Sequence, residues 1–167
     1  PTNLEFDFVL SGEFDGDGHA DLVWLNRASG ELEVWLMDGD KPWQRYMLKR
    51  PTKDSDLFAA VDVNGDGYED LAWRDGSTTQ IIVSQMLAGV PRRDLVGQMP
   101  SPTARILGSA HFGRPGQRDY GFGQIAFHDP ASGELFVWQD ARTGAGQIRG
   151  TPLVLYVDRS VEPERLR

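Results

Sequence analysis

A chain of 167 residues with 40% hydrophobic and 25% charged content is long enough for about one domain with a real core. The formal net charge of −8 argues against a nucleic-acid partner, because Lys49, Arg50, Arg92, Arg93 and Arg114 are scattered and form no basic footprint. No apolar run reaches the length needed to span a membrane, and with no cysteine the chain carries no disulfide clue to its compartment. Beginning at Pro1 without Met or signal peptide, the sequence reads as a processed or excised product.

In chain order the predicted elements are all strands. Helix signals are scarce, while Gly (19) and Pro (10) punctuate short β-branched and aromatic runs. A first strand falls at 5–10, followed by an acidic loop. Strands at 22–26, 31–37, 44–49 and 56–62 come next, the last entering a second acidic loop. The pattern then repeats at 71–74, 80–87, 94–98 and 105–111, and again at 125–128, 134–139 and 151–157, with 121–124 read as a short insertion. Ala28-Ser-Gly-Glu-Leu-Glu-Val-Trp35 nearly repeats as Ala131-Ser-Gly-Glu-Leu-Phe-Val-Trp138, with Gly30 and Gly133 placed to take a hairpin turn. Alternation sets Leu32 and Val34 on one face and Glu31, Glu33 and Trp35 on the other.

The acidic loops carry the chemistry. The first is Glu13-Phe-Asp15-Gly-Asp17-Gly-His19-Ala-Asp21 and the second Asp62-Val-Asn64-Gly-Asp66-Gly-Tyr68-Glu-Asp70. Oxygen donors at alternate positions around glycines suit calcium, which takes six to eight oxygen ligands. The expected donors are the side chains of Glu13, Asp15, Asp17 and Asp21 with the carbonyl of His19. In the second loop they are Asp62, Asn64, Asp66 and Asp70 with the carbonyl of Tyr68. Gly18 and Gly67 are expected at φ > 0, while Gly16 and Gly65 keep the loop slim.

Magnesium prefers a rigid octahedron and keeps its waters, and zinc lacks its usual cysteines here. An EF-hand fails at position twelve, where Trp24 and Trp73 replace the bidentate glutamate. Two bound calcium ions would bring the net charge from −8 to −4. A third copy, His111-Phe-Gly113-Arg-Pro115-Gly-Gln117-Arg-Asp119, lacks donors and is expected to be metal-free. The closing aspartates Asp21, Asp70 and Asp119 lie 49 residues apart.

Four antiparallel strands in each 49-residue interval is the arithmetic of a β-propeller blade. Gly12–Trp24 and Val61–Trp73 resemble the FG-GAP, or VCBS, repeat of the integrin α-subunit propeller and of many bacterial secreted proteins. The third unit keeps Phe112-Gly113 and Asp119 but departs at the donors. The resemblance implies blades with calcium loops between strands, an extracytoplasmic setting and roles in adhesion or ligand binding. The expected fold is therefore all-β, with about three propeller-type blades over 1–157 and a tail at 158–167. The units fall near 21–69, 70–118 and 119–157, preceded by an N-terminal strand at 5–12.

Three units are too few for a ring that closes with four to eight blades. A partial propeller, half of a dimeric one and an arc capped by another subunit stay open. A protein partner or self-association is favoured over a free monomer.

The leading functional reading is a non-catalytic, calcium-stabilised module for protein–protein interaction, adhesion or accessory-subunit work in a secreted, periplasmic or cell-surface assembly. A carbohydrate-binding lectin and a non-catalytic part of a larger secreted enzyme are the alternatives. Trp24 and Trp73 share a repeat position, as do Trp35 and Trp138, which favours packing. Trp43 stands outside the repeat and is the best exposed candidate for stacking on a sugar. No catalytic motif is present, and His111 and His128 read as turn residues beside acidic neighbours. Acidic pairs for glycoside hydrolysis stay open, but those that stand out are assigned to metal.

Overall fold

A computed structural model describes residues 5–110 and 123–138, together with the backbone of 153–154. The third loop at 111–119, most of the predicted strand at 151–157 and the tail at 158–167 lie outside the described residues. The elements are β1 (Phe6–Gly12), β2 (Asp21–Asn26), β3 (Leu32–Asp38), β4 (Lys41–Leu48), β5 (Ser55–Val61) and β6 (Asp70–Asp75). They continue with β7 (Gln80–Leu87), β8 (Val90–Gln98), β9 (Arg105–Ala110), β10 (Gln124–Asp129), β11 (Glu134–Trp138) and β12 (Leu153–Val154). No helix occurs among the described residues, and the strands form three antiparallel four-stranded sheets in the orders β1-β2-β3-β4, β5-β6-β7-β8 and β9-β10-β11-β12. The all-β expectation and the four-stranded, blade-like sheet are both observed. Among the described residues no sheet closes on itself.

The sheets cut the chain in a different phase from the sequence units. The units near 21–69 and 70–118 start after each acidic loop, whereas each sheet starts with the strand before it. The N-terminal strand, set ahead of the first unit in the sequence reading, is therefore the first strand of the first sheet, with Phe8 opposite Trp24 and Gly12 opposite Asp21. The loop joins two paired neighbours within one sheet. Strands β4 and β8 also begin earlier than expected, at Lys41 and Val90, because tight hairpins carry pairing to Asp38↔Lys41 and Leu87↔Val90. The second of these turns is Ala88-Gly89, with φ of 49° and 76°, the positive pair that matches strand twist in a two-residue hairpin. Gly30 and Gly133 take their turns at φ 73° and 74°, as expected.

Sheet faces follow the pleat. Val23, Leu32, Val34, Leu36 and Leu48 of the first sheet bury against Leu71, Trp73, Ile82 and Met86 of the second. The opposite face of the second sheet, with Ala59, Val61, Ala72, Ile81 and Val83, packs on Ile125, Phe127, Phe136 and Trp138 of the third. The second sheet is covered on both faces, which is why β6 and β7 are nearly continuous buried runs while β3 alternates. Edge strands β1, β5 and β9 approach one another, and Ser109 Oγ donates to the Ala60 carbonyl at 3.2 Å.

The tryptophans divide accordingly. Trp73 is 0% exposed between the first two sheets and donates its indole N–H to Ser84 Oγ at 3.0 Å. Trp138 is buried between the second and third. Their counterparts Trp24 and Trp35 lie on the outer face of the first sheet, half-buried and tilted together with centroids 5.3 Å apart. Trp43 on β4 is 59% exposed.

A turn carboxylate ties the last hairpin to the preceding linker. Asp129 accepts from Thr103 Oγ1 (2.6 Å), Ser101 Oγ (2.8 Å) and the Ala131 amide (2.9 Å). The Thr103 hydroxyl, then the Ala131 amide, holds its carboxyl down to about 2, from 3.8. A depressed acid stabilises the fold fully above its unfolded value and loses that effect as pH falls through its folded value. The stability gap between wild type and Asp129→Ala, read from urea midpoints, should therefore be constant above about pH 5 and shrink towards pH 2. Trp73→Ala should cost roughly 3–5 kcal/mol in the same assay, and Trp24→Ala, at the same repeat position on an open face, distinctly less.

Candidate metal centre

Each acidic loop is organised by its own carboxylates before any ion is considered. Glu13 at the start of the first loop accepts the amides of Gly16 and Gly18 at 2.6 Å each. Asp15 Oδ1 accepts Asp17 N at 3.2 Å, and Asp17 Oδ1 accepts His19 N at 2.7 Å. The second loop repeats the scheme. Asp62 accepts Gly65 N at 2.6 Å and Gly67 N at 3.0 Å, Asn64 Oδ1 accepts Asp66 N at 2.8 Å, and Asp66 Oδ1 accepts Tyr68 N at 3.0 Å. All four glycines take positive φ, namely Gly16 85°, Gly18 84°, Gly65 75° and Gly67 90°. Gly16 and Gly65 are thus conformational requirements as well as slim spacers.

The closing aspartates do different work. Asp21 and Asp70 are fully buried at the first position of β2 and β6. Asp21 accepts Phe14 N and Met37 N, both at 2.9 Å, and so ties the loop entry to the bulge in the β3–β4 pair. Asp70 likewise accepts Val63 N at 3.2 Å and Met86 N at 2.9 Å, at the matching bulge of β7–β8. Burial raises both pKa values against these hydrogen bonds, with loop carboxylates adding repulsion, and Asp70 reaches about 7.

Glu13, Asp15 and Asp21 bring carboxylate oxygens within 4.8 Å of one another, the spacing a cation could bridge. Asn64 stands in the second loop where Asp15 stands in the first, so that site carries one fewer charge. The donor set is all oxygen, and its crowded negative charge is what a hard cation would neutralise, so these residues fit calcium. Asp17 and His19 are exposed at the loop tip. Asp17 Oδ2 meets His19 Nδ1 at 3.1 Å, which raises the histidine pKa and, with the His19 amide, lowers that of the aspartate.

Contacts between sheets at this end were not legible in the sequence. Glu69 N donates to the Glu13 carbonyl at 2.7 Å, while Glu69 Oε2 accepts Glu13 N at 3.0 Å. One interval on, Gly123 N donates to the Asp62 carbonyl at 2.6 Å, and a side chain at Gly123 would collide with Val61. Gly89 N donates to the Phe14 carbonyl at 2.7 Å, tucking the β7–β8 turn under the first loop. The strand pairing also shows what stands at the matching place in the third sheet. Gln124 faces Ala110 as Asp21 faces Gly12 and Asp70 faces Val61, so a neutral amide holds that pairing place, while Asp119 lies outside the described residues.

Asp70→Asn tests the structural share of the closing aspartate. An amide can accept only one of the two backbone N–H groups and turns its own donor on the other, so a loss of roughly 1–3 kcal/mol is expected even in chelator. Chemical denaturation with and without chelator measures it.

Residues 14–73, from the first loop entry through Trp73, match the family of FG-GAP-like repeats. Neither the curated proteins nor the solved structures gave a match to the chain. The matched stretch, which spans most of both acidic loops and joins the first two sheets, is thus similar to an FG-GAP-like repeat.

Proposed function

We propose that this chain is a non-catalytic, calcium-stabilised propeller-type module, serving protein–protein interaction, adhesion or an accessory-subunit role in an extracytoplasmic assembly. The observation that carries the reading is the convergence of Glu13, Asp15 and Asp21 in a loop whose second copy has the same internal hydrogen bonds. In the first site Glu13, Asp15, Asp17, Asp21 and the His19 carbonyl would hold the ion. Asp62, Asn64, Asp66, Asp70 and the Tyr68 carbonyl would hold it in the second. Calcium supplies charge neutralisation only. The chain's own residues shape the loops and bind them to the next sheet through Glu69 and Gly123.

The FG-GAP-like repeat supports an interaction module, a role such repeats commonly have. Among the described residues no helix is long and apolar enough to cross a membrane. An extracytoplasmic setting suits loops of this class, because millimolar calcium fills sites with dissociation constants near 10⁻⁴–10⁻³ M.

A lectin is the second reading, favoured by Trp43, 59% exposed on β4. A glycan array run in calcium decides it, and a blank array removes the lectin.

Calcium at about 1 mM should stabilise the fold by about 0.4–1.4 kcal/mol per site and raise the melting temperature relative to chelator. Asp15→Ala together with Asn64→Ala should abolish most of the rise. An identical melt in calcium and chelator for the wild type would sink the metal assignment.

A further inference from the structure

The three sheets stack in one sense, and strictly equivalent positions show what each end lacks. Phe8, Leu57 and Ile106 follow one another at 49-residue steps and face Trp24, Trp73 and Phe127 across the first strand pair of each sheet. Leu57 packs into the core between the first and second sheets, and Ile106 into the core between the second and third. Phe8 is 56% exposed. Val9, Phe58 and Leu107, each at the bulge of its strand, form the opposite series. Val9 packs towards the second sheet and Phe58 towards the third, while Leu107 is 61% exposed.

Each internal junction thus sets the aromatic face of one sheet on the bulge-side face of the sheet before it. The first sheet leaves its aromatic face open. Phe6 meets Trp35 at 5.7 Å, Phe8 meets Trp24 at 5.7 Å, and Met47 beside them is 49% exposed. Arg45 lies 3.9 Å over the Trp35 ring, giving the face a charged rim. Among the described residues the third sheet exposes Leu107 on its bulge-side face, where Leu107, Gly108, Ala126 and Leu135 line an apolar hollow of about 300 Å³ beside the buried Val137.

We infer that the aromatic face of the first sheet docks on the Leu107 face of a second copy of this chain, head to tail, reproducing between chains the junction made twice within one. The junction is heterologous within each contact, and two such contacts related by a two-fold axis would close a six-sheet ring. The occupant is a second copy because the chain itself carries the one surface already shown, at two internal junctions, to complement this face. The inference deepens the interaction-module reading by naming its partner.

Sedimentation or light scattering of the 167-residue chain at about 100 µM, above the dissociation constant expected of a well-packed interface, should give twice the 18.6 kDa chain mass. Phe8→Arg and Leu107→Arg should each give monomers with unchanged cooperative melts, since both side chains are exposed. Met47→Glu repeats the first test should Phe8→Arg fail to fold. Mixing Phe8→Arg with Leu107→Arg should restore a dimer, because each retains the face the other has lost. A monomeric wild type, a mass that Phe8→Arg leaves unchanged, or a mixture that stays monomeric overturns the inference. Wild-type melts in calcium and chelator separate the two readings. A calcium response in a wild type that stays monomeric sinks the docking inference alone, and a wild-type dimer with no calcium response sinks the calcium assignment alone.

Discussion

A buried carboxylate shared between two backbone amides organises each of the first two sheets. Asp21 joins Phe14 to Met37 and Asp70 joins Val63 to Met86, so the loop entry, the start of the second strand and the bulge of the third pair are held at one point. A charged group at 0% exposure is costly unless hydrogen-bonded, and these bonds offset part of that cost. The remaining strain is visible in the raised pKa of both groups. The same residues that order the backbone therefore leave an excess of negative charge at the loop, which gives a cation something to do.

Stacking follows from these anchored loops. Because Glu69 and Gly123 bind the first residue of the preceding loop, each loop fixes its own sheet and the approach of the next. The apolar cores between sheets then repeat one contact twice, with a large side chain at the Trp73 or Phe127 position meeting small and branched residues such as Val23 and Val34 or Ala72 and Val83. A stack built in one sense has two different ends. The exposed Phe8 and Leu107 mark those ends where the equivalent residues of the other sheets are packed.

Much of the fold was legible because local periodicity carried it. Pleat alternation placed Leu32 and Val34 inside, the Ser-Gly hairpins took their turns at Gly30 and Gly133, and the 49-residue interval marked the repeated unit. The phase of the sheets was not legible. A repeat read from loop to loop looks the same wherever it is cut, and only hydrogen bonding assigns β1 to the strands that follow it. At the candidate site the ligand-type residues announced themselves by alternate spacing. Glu69 did not, because its partner Glu13 lies 56 residues away and its counterpart one interval earlier is Ala20.

The amino-acid sequence by itself determined the strands, the turn glycines and the oxygen-rich chemistry of two loops, since each depends on neighbours within a few residues. Tertiary structure decided what those residues were set against. It made Asp21 and Asp70 buried backbone anchors, put Gln124 at the matching place in the third sheet, covered Trp73 and left its repeat partner Trp24 on an open face. Identical positions in a repeat acquire different environments because burial is a property of what packs above them, and among the described residues it is the second sheet that has another sheet on both sides.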